Sequence, residues 1–263
     1  MVTALEAAPL TPKIMGERIL ARGQARFAYG VRLASGAAEV RAAQALRFEV
    51  FNVELNEGLR ASFATGLDAD PFDDVCDHLL VEEMQSEEIV GTYRLQTGPA
   101  AAAGQGYYSA QEFDFTPFEP LRAELIELGR ACVHSDHRNL AVLSLLWKGI
   151  AAYAKNHGGR YLIGCSSLTS QDPAEGATMY AHLARRHLAA PAWRTQPVPA
   201  LACPLDQFTD RPAKVPKLLA AYLSLGAKIC GPPALDREFN TIDFLTLLDL
   251  HSLAPQTIER YLS

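Results

Sequence analysis

Residues 124–168 constrain the fold of this chain more than any other segment. Residues 124–133 and 161–165 are apolar runs typical of strands, and residues 140–155 between them carry apolar side chains at helical spacing. Gly158 and Gly159 follow as helix stop signals. A strand, a helix and a second strand in this order predict a crossover that places two strands side by side and parallel.

The flanking segments predict further helices and an antiparallel hairpin. Near-helical spacing predicts a helix over residues 37–59, and two strands at 78–83 and 88–96 flank the polar turn MQSE. Residues 98–106 predict a loop of small residues, and residues 174–190 a second long helix. The fold class is therefore α/β, with a mixed, largely antiparallel central sheet that is flanked by helices.

Composition shifts along the chain predict three regions. They are an irregular or short-stranded lead-in at 1–35, a core at 36–204 and a C-terminal α/β extension at 205–263 that packs on the core. The last boundary falls in a proline-rich passage at 191–216. Within the extension we predict a helix at 217–225, strands at 228–230 and 241–248, and a helical turn at 255–262.

Charge and cysteine usage exclude several classes of protein. Lys and Arg total 24 against 30 Asp and Glu, a net charge of −6, whereas a nucleic-acid-binding protein needs a clustered basic excess. The five cysteines are odd in number and widely separated, as in a reducing cytoplasm. The start lacks a secretory signal, and the apolar run 140–154 is interrupted by Lys148 and is shorter than the ~20 residues of a membrane span. We expect a cytoplasmic protein, and peripheral contact with the inner face of the membrane stays open.

The segment ELIELGRACVHSDHRNLAVLSLLWKGIAAYAKNHGGRYLIGCSSL resembles the central motif of the GNAT acyltransferases. In that fold an acyl thioester lies along the splayed ends of two parallel strands, and a loop [Q/R]-x-x-G-x-[G/A] binds the pyrophosphate of coenzyme A. Arg138 fills the first position here, but Ala141 and Leu143 replace the small residues. This favours a donor without pyrophosphate, namely the 4′-phosphopantetheine arm of acyl carrier protein, with no permanently bound cofactor.

Further motifs resemble two related families. The runs AQALRFEVF, DPFDDVCDHLLV, IVGTYRLQ and IELGRACV occur in the order found in the acyl-homoserine-lactone synthases. Three segments match more closely the hemolysin-like N-acyltransferases that begin ornithine-lipid synthesis, namely GYYSAQEFDF, LGRACVHSDHRNLAVLSLLWKGIAAY and LLAAYLSLGAKICGPPALDREFNTIDFL. The resemblance covers about residues 40–250.

The closer resemblance implies transfer of a 3-hydroxylated fatty acyl group from acyl carrier protein to the α-amine of ornithine. One alternative is synthesis of acyl-homoserine lactone or of another N-acyl amino acid, with lysine, glycine or glutamine as the acceptor. A non-enzymatic, membrane-perturbing protein is a further alternative, which the absence of an amphipathic run disfavours.

Glu127 and Arg130 are the predicted catalytic residues. A carboxylate in the middle of a central strand is costly to bury unpaired, so Glu127 either pairs with Arg130 or Arg94 or contacts a polar ligand. In the second case it takes the proton of the attacking amine. A bulge at Gly129 would bring Glu127 and Arg130 to one side of the strand.

The lactone-synthase resemblance also implies an ionic cluster that orders the acidic loop and helps to form the acceptor pocket. Its expected members are Arg47, Asp74, Asp77 and Arg94, together with Glu127 and Arg130. Ordinary helix-capping aspartates in a solvated loop are the alternative. Asp70 and Asp73 are expected to face solvent.

Donor-binding residues are expected on both strands of the central motif. They are Cys132, Val133, Arg138 and Ser166. Arg138 and Lys148 also contribute to a basic rim that attracts an acidic carrier protein. Acyl-cysteine chemistry at Cys132 or Cys165 is disfavoured because thiols in apolar strands are usually inert. His134 and His137 lack a third ligand at a regular spacing, so no metal is predicted.

The C-terminal segment supplies one more candidate. The charged run at residues 236–238 lies between GPPA and an apolar strand. Arg237 is predicted to bind the carboxylate of ornithine, and an acidic neighbour its side-chain ammonium. A surface turn with internal ion pairs is the alternative.

Overall fold

The computed structural model describes residues 19–22 and 28–257, in which nine strands form one sheet. The strands are β1 (Ile19–Arg22), β2 (Ala28–Leu33), β3 (Asp77–Glu83), β4 (Ile89–Thr97), β5 (Leu125–Val133), β6 (Tyr161–Leu168), β7 (Lys228–Ile229), β8 (Ala234–Asp236) and β9 (Thr241–Asp249). The α-helices in the same residues are α1 (Ala37–Arg47), α2 (Gly98–Ala103), α3 (Leu140–Asn156), α4 (Pro173–His187) and α5 (Lys217–Ser224).

The sheet is mixed, with one parallel pair at its centre. The strand order is β1-β2-β3-β4-β5-β6-β9-β7, and β8 also pairs with β9. Each pairing is antiparallel except that of β5 with β6, which α3 connects. The predicted fold class and the predicted parallel crossover are therefore confirmed. β9 pairs with β6 from residue 161 to residue 168, so the C-terminal part of the chain completes the same sheet.

The two parallel strands separate soon after they begin. Pairing of β5 with β6 covers residues 125–127 and 161–163 and goes no further. At the point of separation the backbones approach closely, because a Cβ on Gly164 would lie 2.2 Å from the carbonyl oxygen of Leu128. A gap between two strands in the middle of the sheet follows from this geometry.

A bulge in β5 lies beside this gap. Gly129 pairs with Arg94, whereas Cys132 pairs with Thr92, so two residues of β5 face one residue of β4. Arg130 is one of these two residues and has φ +50°, a left-handed conformation that is uncommon for a residue with a side chain. The bulge that we considered at Gly129 therefore occurs directly after it, at Arg130 and Ala131.

Both faces of the sheet are covered by apolar cores. On one face α3 packs across β1 to β4, with Leu145 and Ile150 fully buried. On the other face Phe113 and Phe118 pack with Ile163 in a second core, supplied by the irregular chain between β4 and β5. No helix among the described residues has the length and apolarity needed to span a membrane.

Several local elements differ from the predicted ones in extent or type. The helix at 37–59 forms as α1 and continues as a π-helical segment, Phe48–Glu54. The loop predicted at 98–106 is wrong in its first part, because the Thr97 side chain and Pro99 begin α2 there. Residues 255–257 of the helical turn predicted at 255–262 are helical, and the rest of that turn lies outside the described residues. Most of the predicted lead-in also lies outside them, although its described part forms β1 and β2.

Candidate active site

A cavity of about 920 Å³ opens where β5 and β6 separate. Sites for small ligands typically have volumes of about 300–1,000 Å³. Residues of β4, β5, β6 and β9 line the cavity, and the first residues of α3 and α5 lie at its edge. The gap between the strands connects the two faces of the sheet.

On the α3 face the cavity is an apolar chamber. Leu146, Leu162 and Leu248 line it, together with the aromatic rings of Tyr93 and Tyr222. The hydroxyls of Tyr93 and Tyr222 are 2.6 Å apart and satisfy each other, so neither is left without a partner in the apolar core. This chamber can bury a hydrocarbon chain.

Glu127 lies on the other face, in the wall of the same cavity. It is 4% exposed, and its carboxylate accepts hydrogen bonds from the backbone N–H groups of Tyr108 (2.8 Å) and Ser109 (2.7 Å). No described basic side chain forms a salt bridge with it, so the alternative of an ion pair with Arg94 or Arg130 does not occur. Burial raises the pKa of Glu127 above its ordinary value, although the two N–H groups partly oppose this. A carboxylate with a raised pKa is a better proton acceptor than an ordinary one.

A buried ionic cluster lies beside Glu127. Its members are Arg47, Arg94 and Arg130 with Asp68, Asp70 and Asp73. Arg47 lies 2.6 Å from Asp73, Arg94 2.6 Å from Asp70, and Arg130 2.9 Å from Asp70. The cluster links α1, the acidic loop before β3, and strands β4 and β5, and so fixes that loop beside the cavity.

The aspartates of this cluster differ from those predicted. Asp70 and Asp73 do not face solvent, because Asp70 caps the short helix Pro71–Asp74 and Asp73 binds back to it, which turns Asp73 inward. Asp74 is exposed, and Asp77 accepts a hydrogen bond from Tyr153 (2.9 Å) instead of joining the cluster. Burial alone would raise the pKa of Asp73, but Arg47 and Arg94 outweigh it and hold that pKa well below its usual range.

The predicted donor-binding residues all line the cavity. They are Cys132, Val133, Arg138 and Ser166. Ser166 is buried on the face of the apolar chamber, and its Oγ lies 3.5 Å from that of Thr246. Burial raises the pKa of the Cys132 and Cys165 thiols far above the ordinary value, so both are protonated at neutral pH. That protonation state opposes acyl-cysteine chemistry.

The backbone N–H groups at the start of α3 already have hydrogen-bond acceptors within the chain. Oδ1 of Asn139 accepts hydrogen bonds from the N–H groups of Ala141 (3.0 Å) and Val142 (3.1 Å). Both terminal nitrogens of Arg138 bind the carboxylate of Glu54, at 2.5 and 2.6 Å. The backbone donors that would face a pyrophosphate at this helix start are therefore engaged.

A second acidic group lies in the cavity wall, and its members were not predicted to form a group. Glu112, Asp236 and Asp243 are buried, and one oxygen of each lies within 4.8 Å of the others. This acidic trio can hold a cation. Nothing in their spacing links these residues, but they fall in GYYSAQEFDF and in LLAAYLSLGAKICGPPALDREFNTIDFL, two of the three segments that carry the closer resemblance.

Arg237 does not contribute to the cavity. Strand alternation carries Asp236 inward at the end of β8, and Arg237, the next residue, is exposed on the surface. The carboxylate-binding role that we predicted for Arg237 is therefore corrected. Asp236 and Phe239 are the residues of this segment that reach the cavity, and the Phe239 ring lies 4.3 Å from the Arg130 guanidinium carbon.

Comparison with known proteins gives consistent matches. The acetyltransferase (GNAT) domain family matches residues 46–148. The L-ornithine N(alpha)-acyltransferase of Agrobacterium fabrum is 36% identical over 245 residues, which are 88% of this chain and 84% of that protein. The protein of the same name from Rhodobacter capsulatus is 35% identical over 248 residues, 90% of this chain and 96% of its own length. The one from Brucella abortus is 34% identical over 248 residues, 88% of each chain.

Two solved structures share the fold. FeeM, an N-acyl amino acid synthase from uncultured soil microbes, matches with a TM-score of 0.53 and 13% identity over 88% of this chain and 94% of its own. The AHL synthase LasI matches with a TM-score of 0.50 and 12% identity over 89% of this chain and 94% of its own. At these identities the likeness concerns the fold.

Proposed function

This chain belongs to the L-ornithine N(alpha)-acyltransferases, and we propose that it transfers a 3-hydroxylated fatty acyl group to the α-amine of ornithine. The proposed donor is the 4′-phosphopantetheine thioester of acyl carrier protein, and the product is a lyso-ornithine lipid. The chain is an acyltransferase with the GNAT fold.

The position of Glu127 is the observation that carries this proposal. Its carboxylate is buried at the separation of β5 and β6 and is held from behind by two backbone N–H groups. An acyl chain in the apolar chamber on the α3 face would leave its thioester in the gap between the strands. The acceptor amine then approaches from the face that carries Glu127, which supports a role for Glu127 as the base.

The reaction needs a base and positioning but no change of redox state. The α-amine attacks the thioester carbonyl, the C–N bond forms, and Glu127 takes the proton of the amine. The C–S bond then breaks, and the same proton neutralises the departing thiolate. With pKa values of about 7.8 for an α-amine and about 10.4 for a side-chain amine, the free-base fractions at pH 7 are about one in seven and about one in 2,500. The α-amine is therefore the better nucleophile.

The bulge in β5 supports stabilisation of the tetrahedral intermediate. A bulge leaves an extra residue outside the regular ladder, and here it lies between Gly129 and Cys132 beside the gap. We assign the backbone N–H groups of this bulge to the developing oxyanion. Arg130 lies 4.8 Å from the ring centre of Tyr108 and is held by Asp68 and Asp70, so it fixes the conformation of the bulge.

The start of α3 supports acyl carrier protein over coenzyme A as the donor. Because Asn139 already binds the first N–H groups of the helix, no open cradle remains there for a pyrophosphate. Cys132, Val133 and Ser166 then form the wall along which the pantetheine arm lies.

The surroundings of the cavity support contact with a lipid surface. Leu140 and Leu218 line the cavity and are 74% and 38% exposed. Exposed leucines at the mouth give a single-chain product a route from the chamber to the inner face of a membrane.

The direct test is the mass of the product. The purified protein is incubated with a 3-hydroxyacyl carrier protein thioester and, separately, with ornithine, lysine, glycine, glutamine or homoserine lactone. We expect an amide of ornithine, with the acyl group on the α-nitrogen by fragmentation. A product from homoserine lactone or glutamine, with none from ornithine, would contradict the proposed acceptor.

A further inference from the structure

Glu112, Asp236 and Asp243 meet in the cavity wall although they are far apart in the sequence. Glu112 lies in the chain before β5, Asp236 ends β8, and Asp243 lies on β9. All three line the cavity and are at least nine-tenths buried, and none forms a salt bridge with a described basic side chain. Three carboxylates at this separation repel one another strongly in a buried site.

This repulsion changes the acidity of the trio. Burial, followed by the charges of Asp243 and Asp236, raises the pKa of Glu112 well above its ordinary value. Burial also raises the pKa of Asp243 to about 6, against the hydrogen bonds from Ser167 and Thr241. A cation bound among the three would remove the repulsion.

The acidic trio lies near Glu127, along the direction of β6. Glu127 pairs with Ile163 of β6, and Cys165 is two residues further on the same face, about 6.6 Å along the strand. The Sγ of Cys165 lies 3.7 Å from Oε2 of Glu112. A ligand that places one amine at Glu127 and a second, cationic amine a short methylene chain away would reach the trio.

Two other polar side chains of the same cavity have buried atoms without hydrogen-bond partners, which is an independent sign of a polar ligand. Nη2 of Arg94, in a side chain that is 3% exposed, has no hydrogen-bond partner among the described residues. Neither amide atom of Gln96 has one, and its side chain is 2% exposed. Gln96 lies opposite Glu127 on β4, so its side chain stands on the face that carries Glu127 and the trio. Buried donors without partners are costly, and a bound carboxylate would satisfy them.

We propose that the acidic trio binds the side-chain ammonium of the acceptor amino acid, while Nη2 of Arg94 and the amide of Gln96 bind its carboxylate. The acceptor is then held at both ends, with its α-amine at Glu127. This inference rests on the proposed function, because it assigns the residues that select ornithine among possible acceptors. It places the selectivity for a cationic side chain in Glu112, Asp236 and Asp243.

The hydrogen bonds that the carboxylates of the trio already accept favour an ammonium group over a divalent metal ion as the ligand. Both oxygens of Asp243 accept hydroxyl groups, from Ser167 (2.5 Å) and Thr241 (2.9 Å). Oδ1 of Asp236 accepts two backbone N–H groups, at 2.8 and 3.1 Å. Few lone pairs remain for the six or more oxygen ligands of a hard cation, whereas an ammonium group offers only three donors.

The test compares ornithine with norvaline, which has the same chain length and lacks the side-chain amine. For the wild type we expect kcat/KM to be about 10- to 150-fold higher with ornithine, the factor of one charge-assisted hydrogen bond. Glu112→Gln should lose most of this preference, because its KM rises far more for ornithine than for norvaline or for the carrier thioester. Asp236→Asn serves as a second variant if the first one does not fold.

Glu238→Gln is the matched control, because it removes a carboxylate from the same turn but outside the cavity. Ornithine amide, which lacks the carboxylate, tests the other end of the acceptor. We expect its kcat/KM to be lower than that of ornithine, by the same factor in the wild type and in Glu112→Gln. Equal use of ornithine and ornithine amide would overturn the assignment of Arg94 and Gln96.

The remaining outcomes separate this inference from the proposed function. If the wild type acylates ornithine and norvaline equally, or if both trio variants keep the preference, the inference is wrong and the proposed function stands. If a chelator abolishes the preference and Mg²⁺ restores it, the trio is a metal site and the inference is also wrong. If the wild type acylates no ornithine but another amine, the proposed function itself fails.

Discussion

At the residue scale, the backbone N–H groups of Tyr108 and Ser109 hold the carboxylate of Glu127 in place while it still faces the cavity. They are the hydrogen bonds that the structure gives it, and the side chain is otherwise directed to the cavity. Burial without a cationic partner raises the pKa of the Glu127 carboxyl, which makes it a better proton acceptor.

We predict that Glu127→Gln folds and loses about 10²–10⁴-fold in turnover, the usual contribution of a general base. Because the pKa of Glu127 is raised, the wild-type rate should fall towards acid pH as this group is protonated. The part of this fall that comes from protonation of Glu127 should be absent in the variant, so that its rate follows only the free-base fraction of the amine. Single-turnover rates measured against pH check this.

Glu124→Gln is the control, since Glu124 is exposed and lies just before β5, three residues earlier. Its rates should match those of the wild type. A Glu127→Gln variant with wild-type single-turnover rates would remove Glu127 from the role of base.

The acidic loop shows what a single sequence can and cannot predict for individual residues. Glu127 and Arg130 were identified because a charge in an apolar strand needs an explanation. The choice between Asp73 and Asp74 depends on a capping box that rotates the short helix Pro71–Asp74, and neighbouring aspartates look alike in the sequence.

Glu112, Asp236 and Asp243 had no spacing that could link them, because β9 brings them together only when the sheet forms.

At the scale of elements, the close approach of β5 and β6 at the point where they separate depends on a glycine, Gly164. The strands were predictable from their apolar runs, and the bulge from the positions of Glu127 and Arg130 around Gly129. The point of separation was not predictable, since it arises where the Leu128 carbonyl and Gly164 come too close for any side chain. A tertiary contact of this kind has no local signature.

Gly164→Ala should therefore destabilise the protein and impair the site. Its Cβ would lie 2.2 Å from the Leu128 oxygen, so the strands must move apart, at a cost of about 1–3 kcal/mol. For a domain of this size, that lowers Tm by about 2–4 °C for each kcal/mol. Thermal unfolding and the KM for the donor are the measurements.

Gly36→Ala provides the comparison, because nothing lies within 4 Å of its added Cβ. Its effect on stability should be smaller, since the new methyl group displaces no neighbour. If Gly164→Ala unfolds at the wild-type temperature and binds the donor normally, the close approach of β5 and β6 does not shape the cavity.

At the scale of the whole molecule, the net charge of −6 would oppose binding of the proposed acidic carrier protein, so its recognition would depend on a local basic patch. Arg138 and Lys217 both line the cavity, at the starts of α3 and α5, where a carrier delivering its arm would dock. Arg138 is already neutralised by Glu54, which leaves Lys217 as the better candidate for contact with the carrier. Coenzyme A, which lacks the protein surface, would gain little from such a contact.

The donor preference tests this arrangement together with the capped start of α3. We predict a much higher kcat/KM with the acyl carrier protein thioester than with the matching acyl-coenzyme A, because Asn139 occupies the N–H groups that a pyrophosphate would need. Salt should lower kcat/KM for the carrier, since the screening length falls from about 10 Å at 0.1 M to about 3 Å at 1 M. Lys217→Ala should weaken that salt dependence, and Lys155→Ala, exposed at the far end of α3, should leave it unchanged. Equal kcat/KM with both donors at low salt would refute carrier protein as the preferred donor while leaving the acceptor site untouched.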